Sequence, residues 1–206
     1  LIILHTMFNM GVHVSGKNLF PSNISGLPTW YVLRVSDHGY QAPGDRTHIQ
    51  VLMNKATWED DIENCLPGTL IIYNQDVKMP VERDDCTVIG APMTKLARGL
   101  NPKLGRMIAN MVYVGILAEI LGLDDAALDD AVAAQFKGKA KAIDLNTQAV
   151  DLGRAHVREN VDVDQIPFRI EGREVDDDLF LVEGNEAVAL GCHYGGGGLL
   201  SWYPIT

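Results

Sequence analysis

The chain has 206 residues, 47% hydrophobic and 21% charged, a composition that buries a core and excludes both intrinsic disorder and a disulfide-stapled miniprotein. Its 17 basic and 27 acidic side chains leave a net charge of −10 and a pI near 4.9, which opposes general attraction to phosphate backbones or anionic lipid, so neither nucleic acid nor a membrane is an expected partner. Cys65, Cys86 and Cys192 are odd in number, widely spaced and without a C-x-x-C pair; a reduced, cytoplasmic setting is expected, with no iron–sulfur cluster or structural zinc held by this chain alone.

Residues 1–10 carry apolar side chains at 1, 4, 7 and 8, the spacing of a helix that Gly11 stops. No Met and no charged leader precede Leu1, so the chain reads as cut at its N-terminus. Residues 15–28 are dense in Gly, Pro, Ser and Asn and read as one long structured loop, of a length that is usually functional. Four strand-like runs follow, 29–35, 48–53, 69–73 and 87–90; the last three are short and mostly apolar, as in a mixed or parallel sheet buried on both faces. Residues 57–64 form a short acidic helix, and Leu66-Pro67-Gly68 a turn into the next strand.

From Leu104 to Leu121 apolar residues recur every three and four positions, but Arg106, Asn110 and Glu119 within the run make it a buried helix rather than a membrane span. Asp124 is placed to cap a second helix bearing Leu128, Val132 and Phe136 on one face and ended by Lys137-Gly138; a third runs over about 141–160. Residues 162–178 lack regular period and end in three aspartates, which reads as a linker. A second unit starts at Leu179, with Asn185 capping a helix through Leu190, four glycines at 195–198, and a strand over 199–203.

Gly11-x-x-x-x-Gly16-Lys17-Asn18 is one residue from a phosphate-binding G-x-x-x-x-G-K-[ST] loop, yet a helix precedes it, Asn18 lacks the hydroxyl, and Pro21 interrupts any following helix, so it is no nucleotide P-loop. Lys17 is left either as a phosphate contact or as a solvated lysine. Gly195 to Gly198 read as a flexible turn in preference to a pyrophosphate cradle, because they do not join strand to helix. The six histidines show no ligand spacing, no G-x-S-x-G elbow exists, and Cys65 and Cys86 lack a local base, so no metal ligand and no nucleophile is assigned.

The segment Ser15-Gly16-Lys17-Asn18-Leu19-Phe20-Pro21-Ser22-Asn23-Ile24-Ser25-Gly26-Leu27-Pro28-Thr29-Trp30-Tyr31 strongly resembles the gamma-type domain of 2-oxoacid:ferredoxin (acceptor) oxidoreductases. Gln135-Phe136-Lys137-Gly138-Lys139 and Trp202-Tyr203-Pro204-Ile205-Thr206 agree with it, the latter resembling the Tyr-Pro-Ile-Thr start of the family's pyrimidine-type thiamine domain. The resemblance spans nearly the whole chain and is to the fused gamma/alpha form, and it suggests the 2-oxoglutarate-type alpha subunit as a relative.

That resemblance implies an α/β fold in which a three-layer gamma-type domain, residues 1–161, is joined by the linker 162–178 to the start of a thiamine diphosphate-binding α/β domain, residues 179–206. It implies oxidative decarboxylation of a 2-oxo acid, 2-oxoglutarate being one candidate, with coenzyme A to acyl-CoA and CO2, electrons passing to ferredoxin. Tyr203, Pro204 and Ile205 would line the aminopyrimidine of thiamine diphosphate, and Thr206 would donate its hydroxyl to the substrate carboxylate as the catalytic residue. Lys17, Asn18, Ser22, Asn23 and Ser25 would contact coenzyme A, one cation and several small polar groups. A partner beta subunit would carry the diphosphate-binding domain, magnesium and an iron–sulfur cluster, making a hetero-oligomer in which this piece alone does not turn over. A non-catalytic subunit-assembly module and a Rossmann-like nucleotide-binding domain are the alternatives, separable by whether the chain continues into a thiamine domain.

Overall fold

In the computed structural model, residues 1–20, 28–199 and 201 are described. Helix α1 (Ile2–Asn9) buries Ile2, Ile3, Leu4 and Met7 and stops where Gly11 takes φ of 73°, a left-handed conformation that costs a glycine little. The chain then returns as strand β1 (Val14–Leu19), which pairs antiparallel with β2 (Trp30–Val35) over six residue pairs from Val14↔Val35 to Leu19↔Trp30. The expectation of loop throughout 15–28 is thus corrected for its first part: β2 supplies the ladder that Gly16, Lys17 and Asn18 would not form by local preference.

The other three expected strands form a separate parallel sheet, β3 (Ile49–Leu52), β4 (Leu70–Asn74) and β5 (Thr87–Ala91), in that spatial order. Alternation along β4 sends side chains to opposite faces: Leu70 and Ile72 enter the main core, while Ile71 joins Leu52, Cys65 and Met79 in a second cluster flanked by Trp58 and Ile62. Trp58 and Ile62 belong to α2 (Trp58–Glu63), the expected acidic helix between β3 and β4. The sheet is therefore covered on both faces, helix–sheet–helix, as its apolar runs require.

The main-core side is built by α3 (Met93–Leu100), α4 (Gly105–Leu121), α5 (Asp125–Gln135) and α6 (Ala140–Asn160). Val112, Ile116 and Ile120 of α4 are fully buried, each such side chain contributing about 1.5–3 kcal/mol. Asp124 caps α5 as expected, its Oδ1 accepting from Ala127 N–H at 2.8 Å. α3 is an element the sequence pattern does not announce. Among the described residues no single helix is long and apolar enough to cross a membrane.

Two compact units result, Leu1–Val175 and Asp176–Thr206. Within 162–175, apart from the 3-10 turn Val163–Gln165, the chain is irregular but attached to the first unit: Ile166 is buried, Ile170 N–H donates to Leu121 O at 2.9 Å, and Arg173 N–H donates to Met10 O at 2.8 Å. The second unit contains α7 (Gly184–Tyr194). Its N-cap is Glu183, not Asn185: Glu183 and Glu186 satisfy each other's backbone N–H groups in a capping box, which leaves Asn185 inside the first turn. Leu199 and Ser201 have no regular structure; the rest of the strand expected over 199–203 lies outside the described residues.

Candidate functional site

The β1–β2 hairpin has two unlike faces, because directly opposed residues of an antiparallel pair share a face and successive residues alternate. Val14, Gly16, Leu33 and Val35 form the inner one; a Cβ on Gly16 would collide with the Tyr31 hydroxyl and fall 2.6 Å from Leu4 Cδ1 of α1, so glycine is needed for hairpin and helix to approach. The outer face carries Ser15, Lys17 and Leu19 from β1 opposite Arg34, Val32 and Trp30 from β2. Lys17 is exposed, and among the described residues it is the one expected coenzyme contact placed on this face. Asn18, opposite Tyr31, alternates to the other.

Two neighbouring elements border the outer face. Ser15 Oγ donates to Gln41 O at 2.8 Å, and Gly44 lies so near Arg34 that a Cβ there would be 3.4 Å from Nη1; the 41–46 segment therefore crosses the Arg34 end. At the other end, Trp30 Nε1 donates to Asp61 Oδ1 at 2.7 Å, while Asp61 Oδ2 accepts from Thr57 Oγ1 at 2.9 Å, tying the tryptophan to α2. Arg34 Nε is buried with no hydrogen-bond partner, and among the described residues neither Arg34 nor Lys17 has an ion-pair partner. Nothing local in the sequence marks Arg34; its one trace is the alternation Trp30-x-Val32-x-Arg34, which has meaning once the β1 register is known.

Ser22, Asn23 and Ser25, assigned to coenzyme A, lie outside the described residues, as do Tyr203, Pro204, Ile205 and Thr206, assigned to the thiamine site and substrate. The described residues thus include none of the side chains assigned to thiamine diphosphate. They do include a fit for the phosphates of coenzyme A: unneutralised cations on one strand face, with Val32 and Trp30 offering apolar surface beside them.

The remaining motifs resolve structurally. Gly11 to Asn18 is turn and strand following a helix that ends at Asn9, the reverse of a P-loop's order. The N–H groups of Gly195, Gly196 and Gly197 donate to Gly191, His193 and Cys192 carbonyls at the end of α7, so they close a helix and are not free for an anion. Cys65 is buried, its thiol donating to Asp61 O at 3.2 Å, and burial first, then Cys86, pushes its pKa up, so it is a poor nucleophile. Nearby, Arg83 makes a paired contact to Asp85 at 2.7 and 2.9 Å and also donates to Ile62 O and Cys65 O; its guanidinium hydrogen bonds hold the Asp85 carboxyl at about 2. Among the described residues no three His, Cys, Asp or Glu side chains converge on a possible metal position.

The sequence profile described as pyruvate ferredoxin/flavodoxin oxidoreductase matches residues 1–156. The chain belongs to this family. Among curated relatives, subunit alpha of 2-oxoacid:ferredoxin oxidoreductase 2 from Aeropyrum pernix is 24% identical over 249 residues, covering 100% of this chain and 38% of the relative. Subunit alpha of 2-oxoacid:ferredoxin oxidoreductase 1 from Sulfurisphaera tokodaii is likewise 24% identical, covering 95% of this chain and 36% of the relative. Among solved structures, 2-oxoglutarate:ferredoxin oxidoreductase from Magnetococcus marinus, with 2-oxoglutarate, coenzyme A and succinyl-CoA bound, superposes at a TM-score of 0.83 with 26% identity, covering 95% of this chain and 34% of that one. The gamma subunit of a keto/oxoacid ferredoxin oxidoreductase from Geobacter sulfurreducens, at 12% identity and a TM-score of 0.60 over 77% of this chain and 88% of its own, shares the fold. The chain thus spans 34% to 38% of the length of the alpha-subunit relatives and of the Magnetococcus chain. The gamma-type α/β fold expected from the loop motif is the fold found.

Proposed function

We propose that this chain is the gamma-type domain, residues 1–161, with the linker 162–178 and the start of the pyrimidine-type thiamine domain, residues 179–206, of a 2-oxoacid:ferredoxin oxidoreductase working in the cytoplasm. In the reaction the carboxyl carbon of the 2-oxo acid leaves as CO2, the sulfur of coenzyme A bonds to the former oxo carbon, and two electrons pass to ferredoxin through an iron–sulfur cluster on the partner beta subunit. The substrate is 2-oxoglutarate. The observation that carries the reading is the likeness, over 95% of the chain, to an enzyme solved with 2-oxoglutarate, coenzyme A and succinyl-CoA bound.

Thiamine diphosphate, shared with the beta subunit that also holds magnesium, supplies the nucleophilic carbon such a decarboxylation needs. This chain's own residues bind and orient. Lys17 meets a phosphate of coenzyme A as a point charge, Ser22, Asn23 and Ser25 are further polar contacts of the coenzyme, and Asn18 meets it from the hairpin's other face. Tyr203, Pro204 and Ile205 present an apolar wall to the aminopyrimidine, and the Thr206 hydroxyl donates to the substrate carboxylate. The test is a turnover assay on the native full-length subunit assembled with its partner: 2-oxoglutarate and coenzyme A together should reduce ferredoxin, with succinyl-CoA and CO2 formed in step. Ferredoxin reduction with another 2-oxo acid and not with 2-oxoglutarate overturns the substrate assignment; no reduction with any 2-oxo acid overturns the enzyme reading.

A further inference from the structure

Arg34 has no ion-pair partner among the described residues, and its Nε is buried without a hydrogen-bond acceptor among them. It stands on the outer face of the hairpin, opposite Ser15 and one diagonal step from Lys17, which is opposite Val32. Cross-strand diagonal positions lie about 7–8 Å apart, a gap that two long cationic side chains close onto one anion. The 41–46 segment, anchored by the Ser15 bond to Gln41 O, passes close to the guanidinium, whose Nε is out of water with no acceptor among the described residues. A buried guanidinium N–H without an acceptor is costly unless a ligand supplies one. The nearby carboxylates do not supply it: Asp45, in the 41–46 segment itself, makes no ion pair with Arg34 among the described residues, and Asp61 is committed to Trp30 and Thr57 at the opposite end of the face.

We infer that Arg34 and Lys17 together bind one phosphate group of an organic phosphate ligand, Arg34 gripping it with its planar fork from under the 41–46 segment and Lys17 closing from the solvent side. The assignment rests on the coenzyme A reading given above and deepens it by making Arg34, rather than Lys17 alone, the anchoring cation. The chemistry is that of a phosphate ester or pyrophosphate: a multiply charged oxyanion matching a fork and a point charge.

The test is isothermal titration of the native full-length protein, assembled with its partner, with coenzyme A. Arg34→Met keeps the aliphatic length and removes the fork; it should weaken coenzyme A binding by about tenfold to a hundredfold. Arg34→Lys, which retains the charge and is the variant to read if Arg34→Met does not fold, should bind with a smaller loss because a point charge replaces two directed donors. With both cations on one phosphate, Arg34→Met and Lys17→Met should combine non-additively in a double-mutant cycle. Wild-type affinity for coenzyme A in folded Arg34→Met or Arg34→Lys overturns the Arg34 assignment and leaves the coenzyme reading intact. Additive losses overturn the shared phosphate. Failure of the unmodified protein to bind coenzyme A overturns the coenzyme reading itself.

Discussion

Replacing Gly153 with alanine tests the packing that holds the helical layer on the sheet. Helices α4 and α6 cross where Gly115 and Gly153 face each other's backbone: a Cβ on Gly153 would collide with Val112 O and come within 2.9 Å of Ile116 N, and a Cβ on Gly115 would collide with Val150 O and lie 2.8 Å from Val150 C. The obstacles are backbone atoms of residues themselves buried, Val112 and Ile116 at 0% exposure and Val150 at 3%, so no flexible side chain can yield and the helices must separate. On its own a glycine-to-alanine change inside a helix gains about 0.8–1 kcal/mol of propensity. Overpacking costs about 1–3 kcal/mol, more where backbone has to move, and separation also strips contacts from Val112, Ile116 and Val157 around the crossing. The second effect wins, and Gly153→Ala should be destabilised by about 1–2 kcal/mol. Urea unfolding followed by circular dichroism reads this as a lower midpoint at unchanged slope. Gly99→Ala in α3, where a Cβ would meet nothing within 4 Å, is the control and should raise the midpoint slightly. A midpoint for Gly153→Ala at or above that of the unmodified protein would refute the close-crossing argument.

Lys17→Ala in the assembled enzyme should raise the KM for coenzyme A by about tenfold to a hundredfold, the worth of one charge-assisted contact, with a smaller change in KM for the 2-oxo acid; unchanged coenzyme A dependence would remove Lys17 from the site. Thr206→Val keeps the branched shape and removes the donor, so kcat/KM for the 2-oxo acid should fall at least tenfold while thiamine diphosphate affinity holds; normal kinetics in a correctly assembled protein would make Thr206 a structural hydroxyl. Because the Arg83 hydrogen bonds lower the Asp85 carboxyl from 3.8 to about 2, its stabilising contribution is complete above the ordinary aspartate value and is lost as pH falls through about 2. Asp85→Asn should therefore lower Tm at pH 6 relative to the unmodified protein, and the difference should close towards pH 2; a difference independent of pH would show that the ion pair is not its source.

What was legible in the sequence was what local chemistry dictates. The main apolar helix α4 carries an i, i+3, i+4 stripe, α5 begins at an aspartate whose side chain accepts from the third residue on, and β3 to β5 are short apolar runs with turn residues between. What was hidden depends on partners distant in sequence. β1 contains Gly16, Lys17 and Asn18, poor strand formers, and becomes a strand because β2, across the 21–27 segment, supplies its hydrogen bonds while Gly16 makes room for Tyr31 and Leu4. α3 buries only Met93 and Ala97 and has no side-chain cap at Pro92; instead Asp76, from the turn after β4, accepts from Lys95 N–H at 2.7 Å in its first turn. The loop motif named the family, yet the same segment misled as to local structure, because identity lies in residue types whereas conformation here is set by pairing.

The charge of the chain and the charge of the hairpin point in opposite directions, and range decides between them. A net charge of −10 repels a polyanionic ligand at a distance. At physiological ionic strength that repulsion is screened over about 8 Å, whereas two cations on the hairpin face act on anything they contact inside that length, and Arg34 does so from a partly dehydrated position where an ion pair is stronger than in water. The α2 carboxylate at the Trp30 end, Asp61, is already hydrogen-bonded to Trp30 and Thr57, and Asp45 in the 41–46 segment makes no ion pair with Arg34 among the described residues. If Arg34 and Lys17 hold one phosphate as inferred above, a small phosphate-bearing ligand needs only the few ångströms over which they prevail, whereas a nucleic acid would have to lie along the acidic remainder of the surface.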